Sequence, residues 1–410
     1  MPSIPPELCI RCKGYKLLCG LPRCPLLERF RAQVEAVRLV SGRNLQGSTP
    51  PSVLVGEAGY PRVSFYYMVP PNRFGEDAAK YDAPRLWAAE GVPLSTIIAL
   101  RGSLVAASQR VDVREPWRLY ESEVGLAAVS ESPVPSSVFL KMVPTPRLRF
   151  DGITKPVGPR APAEKIDVEG SPKLSRTVES AIWDDERASV MVAELYDKGV
   201  DVYRLQDLMS LGFLGRLRNR RMVPTRWAIT AVDDIVSSHL RDRLRGAESV
   251  GSIEAYRGEY LGNRFLILLL PGEGTFEWVE AWHPLSAWAQ GAERVTVWRV
   301  EEDPLGRTSA MDGGFSAARL AVLESLASRG RTADVVIIRE VLPSYYAPVG
   351  NWHIRETVRR AMSSRPLELG SLSEARELAA QWLVSDEKAE ILGASRLLTR
   401  PVRKLTEFMR

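Results

Sequence analysis

Val295-Thr-Val-Trp-Arg-Val300, then Ala317-Ala-Arg-Leu-Ala-Val-Leu-Glu-Ser-Leu-Ala327, then Asp334-Val-Val-Ile-Ile-Arg-Glu-Val341 read in that order as a strand, a helix and a second strand. A β-branched run of six to eight residues suits a buried strand, and eleven residues rich in Ala and Leu suit a helix. Strand, helix, strand argues for a parallel pair joined by a crossover helix. A further helix is expected from Ile354 to Met362. The expected fold class is therefore α/β or α+β, with a mixed-sheet core and a parallel βαβ unit in its C-terminal part.

Outward from this unit, Phe265 to Leu270 is a buried strand closed by Pro271-Gly272, and Leu174 to Leu211 is patterned as helix. Pro144 to Lys173 is rich in Pro and Gly and poor in periodic apolar residues, so it is expected to be a linker or an extended crossing segment. Ser137 to Met142 is a β-type run. Ser52–Val55 and Val63–Met68 are two strands around the loop Gly56-Glu-Ala-Gly-Tyr-Pro61. Leu27, Phe30, Val34, Val37 and Val40 recur at helical spacing. The expected organisation is a zinc module over residues 1–29, a core over 30–293, an α/β part over 294–395 and a tail over 396–410.

A chain of 410 residues is expected to hold two or three domains at roughly 150 residues each. With 45% hydrophobic and 26% charged residues it has globular proportions, which excludes wholesale disorder. No apolar run approaches the roughly 18–20 residues that span a bilayer, and Met1-Pro-Ser-Ile-Pro-Pro6 has no basic or apolar leader pattern. No membrane partner and a cytoplasmic location are expected. The balance of 55 Lys and Arg against 50 Asp and Glu, a net +5, permits a polyanionic partner without demanding one.

All four cysteines fall within the first 24 residues: Cys9, Cys12, Cys19 and Cys24. Four thiolates packed into 16 residues suit one tetrahedral structural Zn²⁺, with Cys9-Ile-Arg-Cys12 as the knuckle. The alternatives are two disulfides, disfavoured in a reducing compartment, or four unrelated thiols. A closed four-sulfur site has no open position, so no catalysis is assigned to it.

The densest charge feature is Gly215-Arg-Leu-Arg-Asn-Arg-Arg-Met-Val-Pro-Thr-Arg-Trp227. Arg216, Arg218, Arg220, Arg221 and Arg226 stand there without an acid, and Trp227 offers a face to a base. Crowded guanidinia are relieved by anions, which a phosphate backbone supplies at regular spacing; a solvated basic loop is the alternative. Asp233 follows, with Asp234 and His239. Glu277, Glu280 and His283 lie in Phe276-Glu-Trp-Val-Glu-Ala-Trp-His-Pro284, and His353 and Glu356 in Trp352-His-Ile-Arg-Glu356. On a helix Glu280 and His283 share a face; on a strand they oppose each other. Asp233, Glu280, His283, His353 and Glu356, together with Arg226, are the candidates for a catalytic pocket, the acids and histidines holding Mg²⁺ or Mn²⁺ for phosphodiester chemistry or serving as structural ion pairs. Ser371-Leu-Ser-Glu374 is a capping box. In the tail, Leu405, Phe408 and Met409 form an apolar one-turn plug suited to a partner's groove.

Several longer strings carry a family likeness: Cys9 to Pro25, Val55-Gly-Glu-Ala-Gly-Tyr-Pro61, Lys155 to Pro162, Val223 to Asp234, Tyr260-Leu-Gly-Asn263, Glu280 to Pro284, Gly313 to Arg319 and Tyr345 to Gly350. On these the chain resembles the archaeal Nre proteins over nearly its full length. The resemblance implies a zinc-finger-like N-terminus and a role in repair of damaged DNA. It also implies binding of the replication sliding clamp through a C-terminal peptide. Val402 stands where that peptide normally has Gln, and Met409 where it has a second aromatic. The likeness carries no catalytic residue. The reading is a DNA-binding repair factor recruited to the clamp, with a metal-dependent enzyme acting on nucleic acid or a nucleotide as the alternative.

Overall fold

The computed structural model describes residues 8, 11–21, 23–147, 158–289 and 291–399. Among these residues twelve strands form two six-stranded sheets. The first contains β1 (Asn44–Thr49), β2 (Leu54–Val55), β3 (Arg62–Val69), β4 (Val105–Asp112), β5 (Val134–Leu140) and β6 (Arg160–Val168), in the order β1-β5-β6-β4-β3-β2. The second contains β7 (Ile253–Tyr260), β8 (Asn263–Leu270), β9 (Phe276–Trp282), β10 (Thr296–Glu302), β11 (Asp334–Val341) and β12 (Leu367–Leu369), in the order β10-β9-β11-β8-β7-β12. Each sheet is mixed: β4 with β6 and β9 with β11 are its parallel pairs.

The longer helices are α1 (Pro25–Arg38), α2 (Leu94–Ser103), α3 (Ala188–Asp197), α4 (Val202–Ser210), α5 (Thr225–Arg243), α6 (Gly313–Arg329), α7 (Trp352–Met362) and α8 (Leu372–Trp382). One continuous core joins Val63, Phe65 and Tyr67 of β3, the apolar faces of α3 to α7, and Phe265, Ile267 and Trp278 of the second sheet. The alternate positions of β8, Leu266, Leu268 and Leu270, pack instead against Ala375, Ala379, Leu383 and Leu398. Because helices cover both faces of β8, its sequence reads as an unbroken apolar run rather than an alternation. Among the described residues no helix is long and apolar enough to cross a membrane.

The expected parallel pairing is present, with a different partner. β11 runs parallel to β9, while β10 lies antiparallel on the far side of β9. The connection from β9 to β11 thus contains both β10 and α6. The Pro/Gly-rich segment 144–173 contains β6, which pairs with β5 on one side and β4 on the other. Its sequence, Arg-Ala-Pro-Ala-Glu-Lys-Ile-Asp-Val, has little apolar alternation of its own, and its neighbours' backbones make it a strand. The second sheet draws strands from both sides of residue 293. Ser371 caps α8 by accepting the Glu374 N–H at 3.2 Å, and the Glu374 carboxylate accepts from the Gly370 N–H at 3.0 Å.

Candidate nucleic-acid interface

The arginine loop runs from the end of α4 to the start of α5. Gly212 adopts φ +69°, and a Cβ there would meet the Arg221 carbonyl oxygen at 2.7 Å, so the chain folds tightly back beneath the loop. The far end is pinned at Thr225, whose Oγ1 accepts from the Val55 N–H at 2.8 Å and shares a hydrogen bond with Ser210. Met222 N–H donates to the Val113 carbonyl at 2.9 Å. Between these anchors Leu217–Asn219 makes a single 3-10 turn.

The five arginines divide into two roles. Arg220 is buried: it donates to the carbonyl oxygens of Gly215, Ile182 and Asp184 at 2.5–2.6 Å and lies over the Tyr120 ring at 5.5 Å. It is therefore no surface phosphate contact, a correction to the sequence expectation. A guanidinium has five N–H donors, and this one spends them holding a turn together. Arg216, Arg218 and Arg221 point outward, and none pairs with a carboxylate among the described residues. Arg226 is exposed and meets Glu57 at 3.5 Å, an exposed pair that contributes little. Trp227 is exposed beside it.

The catalytic candidates do not form one pocket with Arg226. Asp233 on α5 is fully buried, bonded to Arg355 of α7 and accepting from Gln206 Nε2 of α4 at 3.0 Å. Burial opposes the Arg355 cation, but Asp233 and Tyr203 together outweigh it, so its pKa is raised and the group stays charged. Tyr203, whose ring lies 5.1 Å from the Arg355 guanidinium, donates to Glu356 at 2.6 Å, and Arg359 donates to Glu356 and to Glu324. Asp233 and Glu356 are thus members of one ion network cementing α4, α5, α6 and α7.

Glu280 lies on a strand, on the face opposite Glu277. It accepts from Arg339 at 2.5 Å and from the Trp282 indole at 3.2 Å, and Arg339 also donates twice to Asn263. His353 bonds the Tyr345 hydroxyl at 3.1 Å; burial, then Arg339, push its pKa well below the ordinary 6.5, so it is neutral at physiological pH. His283, beyond the strand end, bonds Glu340 at 2.8 Å. Glu340 also accepts from the Val384 and Ser385 N–H groups, and Glu277 accepts from those of Arg396 and Leu397. These two buried carboxylates fasten the C-terminal helices to the sheet. Every candidate acid is thus engaged by its own donor, and among the described residues no three His, Cys, Asp or Glu are placed to hold a metal ion.

In the N-terminal segment Cys12 is buried, and Cys19 and Cys24 are half-buried free thiols; Cys9 lies outside the described residues. Lys13 and Gly14 take φ of +51° and +78° immediately after Cys12. The following turn brings the Leu18 N–H to 3.4 Å from the Cys12 Sγ. This hydrogen bond, with those from Gly14, Lys16 and Leu17, outweighs burial and lowers the thiol pKa. A thiolate at Cys12 is a competent metal donor, while Cys12, Cys19 and Cys24 are not gathered around one point. Leu405, Phe408 and Met409 lie outside the described residues.

Sequence reading missed the aromatic rim around the loop. Trp183 and Trp117 are exposed on segments bonded to the loop through Arg220 and Met222, links made in space rather than in sequence.

Fold and site together define an α/β protein of two mixed sheets, with an arginine–tryptophan loop on its surface and a cysteine-rich N-terminus. The chain belongs to the archaeal Nre family: "Archaeal Nre, N-terminal" matches residues 18–289 and "Archaeal Nre, C-terminal" matches 302–408. It is 36% identical to the DNA repair protein NreA of Archaeoglobus fulgidus over 92% of this chain and 94% of that one. Identity is 34% both to the DNA repair protein NreA of Haloferax volcanii, over 87% of each chain, and to the DNA repair protein NreB of A. fulgidus, over 90% and 91%. No solved structure matches the chain.

Proposed function

We propose that this chain acts in DNA repair and grips the phosphate backbone of DNA through Arg216, Arg218, Arg221 and Arg226, with Trp227 beside them. The observation that carries the reading is the loop itself: outward guanidinia held on a rigid turn by Arg220, in a chain whose relatives are named DNA repair proteins. Outward cations on a fixed frame bind polyanions without paying to order the loop first. Fluorescence anisotropy of labelled DNA across a salt series tests this. The Arg216→Ala/Arg218→Ala/Arg221→Ala variant is expected to bind more weakly, with a log K against log salt slope shallower by about 2 to 3, because each phosphate contact contributes about 0.9. An unchanged slope would remove the loop from the interface.

Two further assignments belong to this reading. Cys9, Cys12, Cys19 and Cys24 hold one structural zinc, whose role is to stabilise the N-terminal segment; Leu21 of that segment packs in a core cluster with Trp87 and Tyr346. Metal analysis of purified protein is expected to give one zinc per chain, lost in Cys12→Ser; a metal-free, fully folded wild type counts against it. The apolar tail Leu405, Phe408 and Met409 docks on the replication sliding clamp. A Leu405→Ala/Phe408→Ala variant is expected to lose retention on immobilised clamp, and undiminished retention rejects the tail as the docking element.

A further inference from the structure

Four tryptophans are largely exposed among the described residues: Trp117, Trp183, Trp227 and Trp298. Three of them lie on the arginine loop's own segment or on segments bonded to it. Trp183 is 57% exposed and is held edge-on by Tyr120 at 5.5 Å, the same ring that carries Arg220. Its neighbours are tied to the loop directly: the Ile182 and Asp184 carbonyls accept from Arg220, and Asp185 accepts the Leu217 N–H at 2.6 Å. Trp117, 42% exposed, follows the Val113 backbone that receives Met222. Val113 in turn donates to the carbonyl of Pro61, whose preceding residue Tyr60 is 61% exposed. Trp227, at 53%, closes the group.

Such rings gain nothing from facing water. A set of exposed aromatic faces carried on segments bonded to one another marks a surface that meets a ligand. The charge between them narrows the ligand's chemistry. Arg62 and Arg110 are exposed, with the Arg110 guanidinium lying against Gly59 of the Tyr60 loop. Asp112, opposite Arg62 on the neighbouring strand, and Glu115 are occupied by Arg114 and Arg118. Glu57 faces Arg226, Asp185 is engaged by the Leu217 N–H, and Asp184 and Glu186 are exposed beside Trp183. Cations interleaved with flat apolar faces match a strand whose phosphates and unstacked bases are both available. A duplex hides its base faces in its own stack and offers phosphate alone.

We infer that this surface is a track for single-stranded DNA, with unpaired bases stacked on Trp183, Trp117, Trp227 and Tyr60 while the phosphates meet the arginines. The inference rests on the phosphate-binding role proposed for the loop and names the form of DNA that the site takes.

The test uses full-length protein and three labelled probes of equal length: oligo-dT, an oligomer of the same backbone with abasic sites throughout its centre, and a duplex. Oligo-dT is expected to bind at least about tenfold more tightly than the abasic strand, since base–aromatic stacking is worth roughly five- to hundredfold per base. Oligo-dT should also quench tryptophan fluorescence. Trp183→Ala is expected to lose about that factor for oligo-dT and nothing for the abasic strand, while Trp183→Phe retains binding. Equal binding of oligo-dT and the abasic strand, or preference for the duplex, overturns the single-strand track and leaves the phosphate grip standing. Failure of all three probes to bind rejects both.

Discussion

Replacing Arg355 by Ala is expected to lower the free energy of unfolding by about 3–5 kcal/mol, the cost of stranding a buried charge. Asp233 is fully buried, and Arg355 is the only cation bonded to it among the described residues. Gln206 remains as a neutral donor at 3.0 Å and cannot compensate a full charge. The same change removes the guanidinium over Tyr203 and loosens α7 against α4 and α5. A double variant, Asp233→Leu with Arg355→Met, is expected to recover most of the loss, because no uncompensated charge is left behind. Denaturant unfolding of the three proteins measures both. If Arg355→Ala unfolds at the wild-type midpoint, the network is not structural, and Asp233 returns as a candidate for chemistry.

The arginine loop should respond to substitution in two opposite ways. Arg220→Ala is expected to cost about 2–4 kcal/mol, because three carbonyl oxygens lose their donor at a site where burial leaves them poorly hydrated. Arg218→Ala, two positions away and exposed, is expected to lie within about 0.5 kcal/mol of wild type in stability, with its effect confined to DNA affinity and salt slope. Thermal melting and anisotropy on the same preparations separate the two. Equal stability of Arg220→Ala and Arg218→Ala would show that the internal plug contributes nothing to the loop's shape.

Much of the architecture was legible from local pattern. The apolar run of β8, the hairpin of β2 and β3, helix α1 and the capping box of α8 all fall where periodicity and turn residues place them. The signals were strong because each element's buried face is written in consecutive residues. β6 was not legible in this way, since its Pro, Ala and Lys carry no alternation and its identity comes from β5 and β4 on either side. The partner of β11 was misread for a related reason: chain order suggested β10, whereas the sheet inserts β9 between them.

For the site, the sequence alone established which residue types exist and how densely they cluster: four cysteines at metal-ligand spacing, five arginines without an acid, and carboxylates and histidines scattered over the remainder. Tertiary structure decided what each is free to do. It turned Arg220 inward while leaving Arg216, Arg218 and Arg221 at the surface, and it tied the segments of Trp117 and Trp183 to the loop. It neutralised Asp233 with a cation 122 residues away and Glu280 with one 59 residues away. Hydrophobic periodicity is a property of neighbours along the chain, so it survives in the sequence. Charge pairing and the sharing of a surface depend on which distant segments meet, and only the packed fold brings them together.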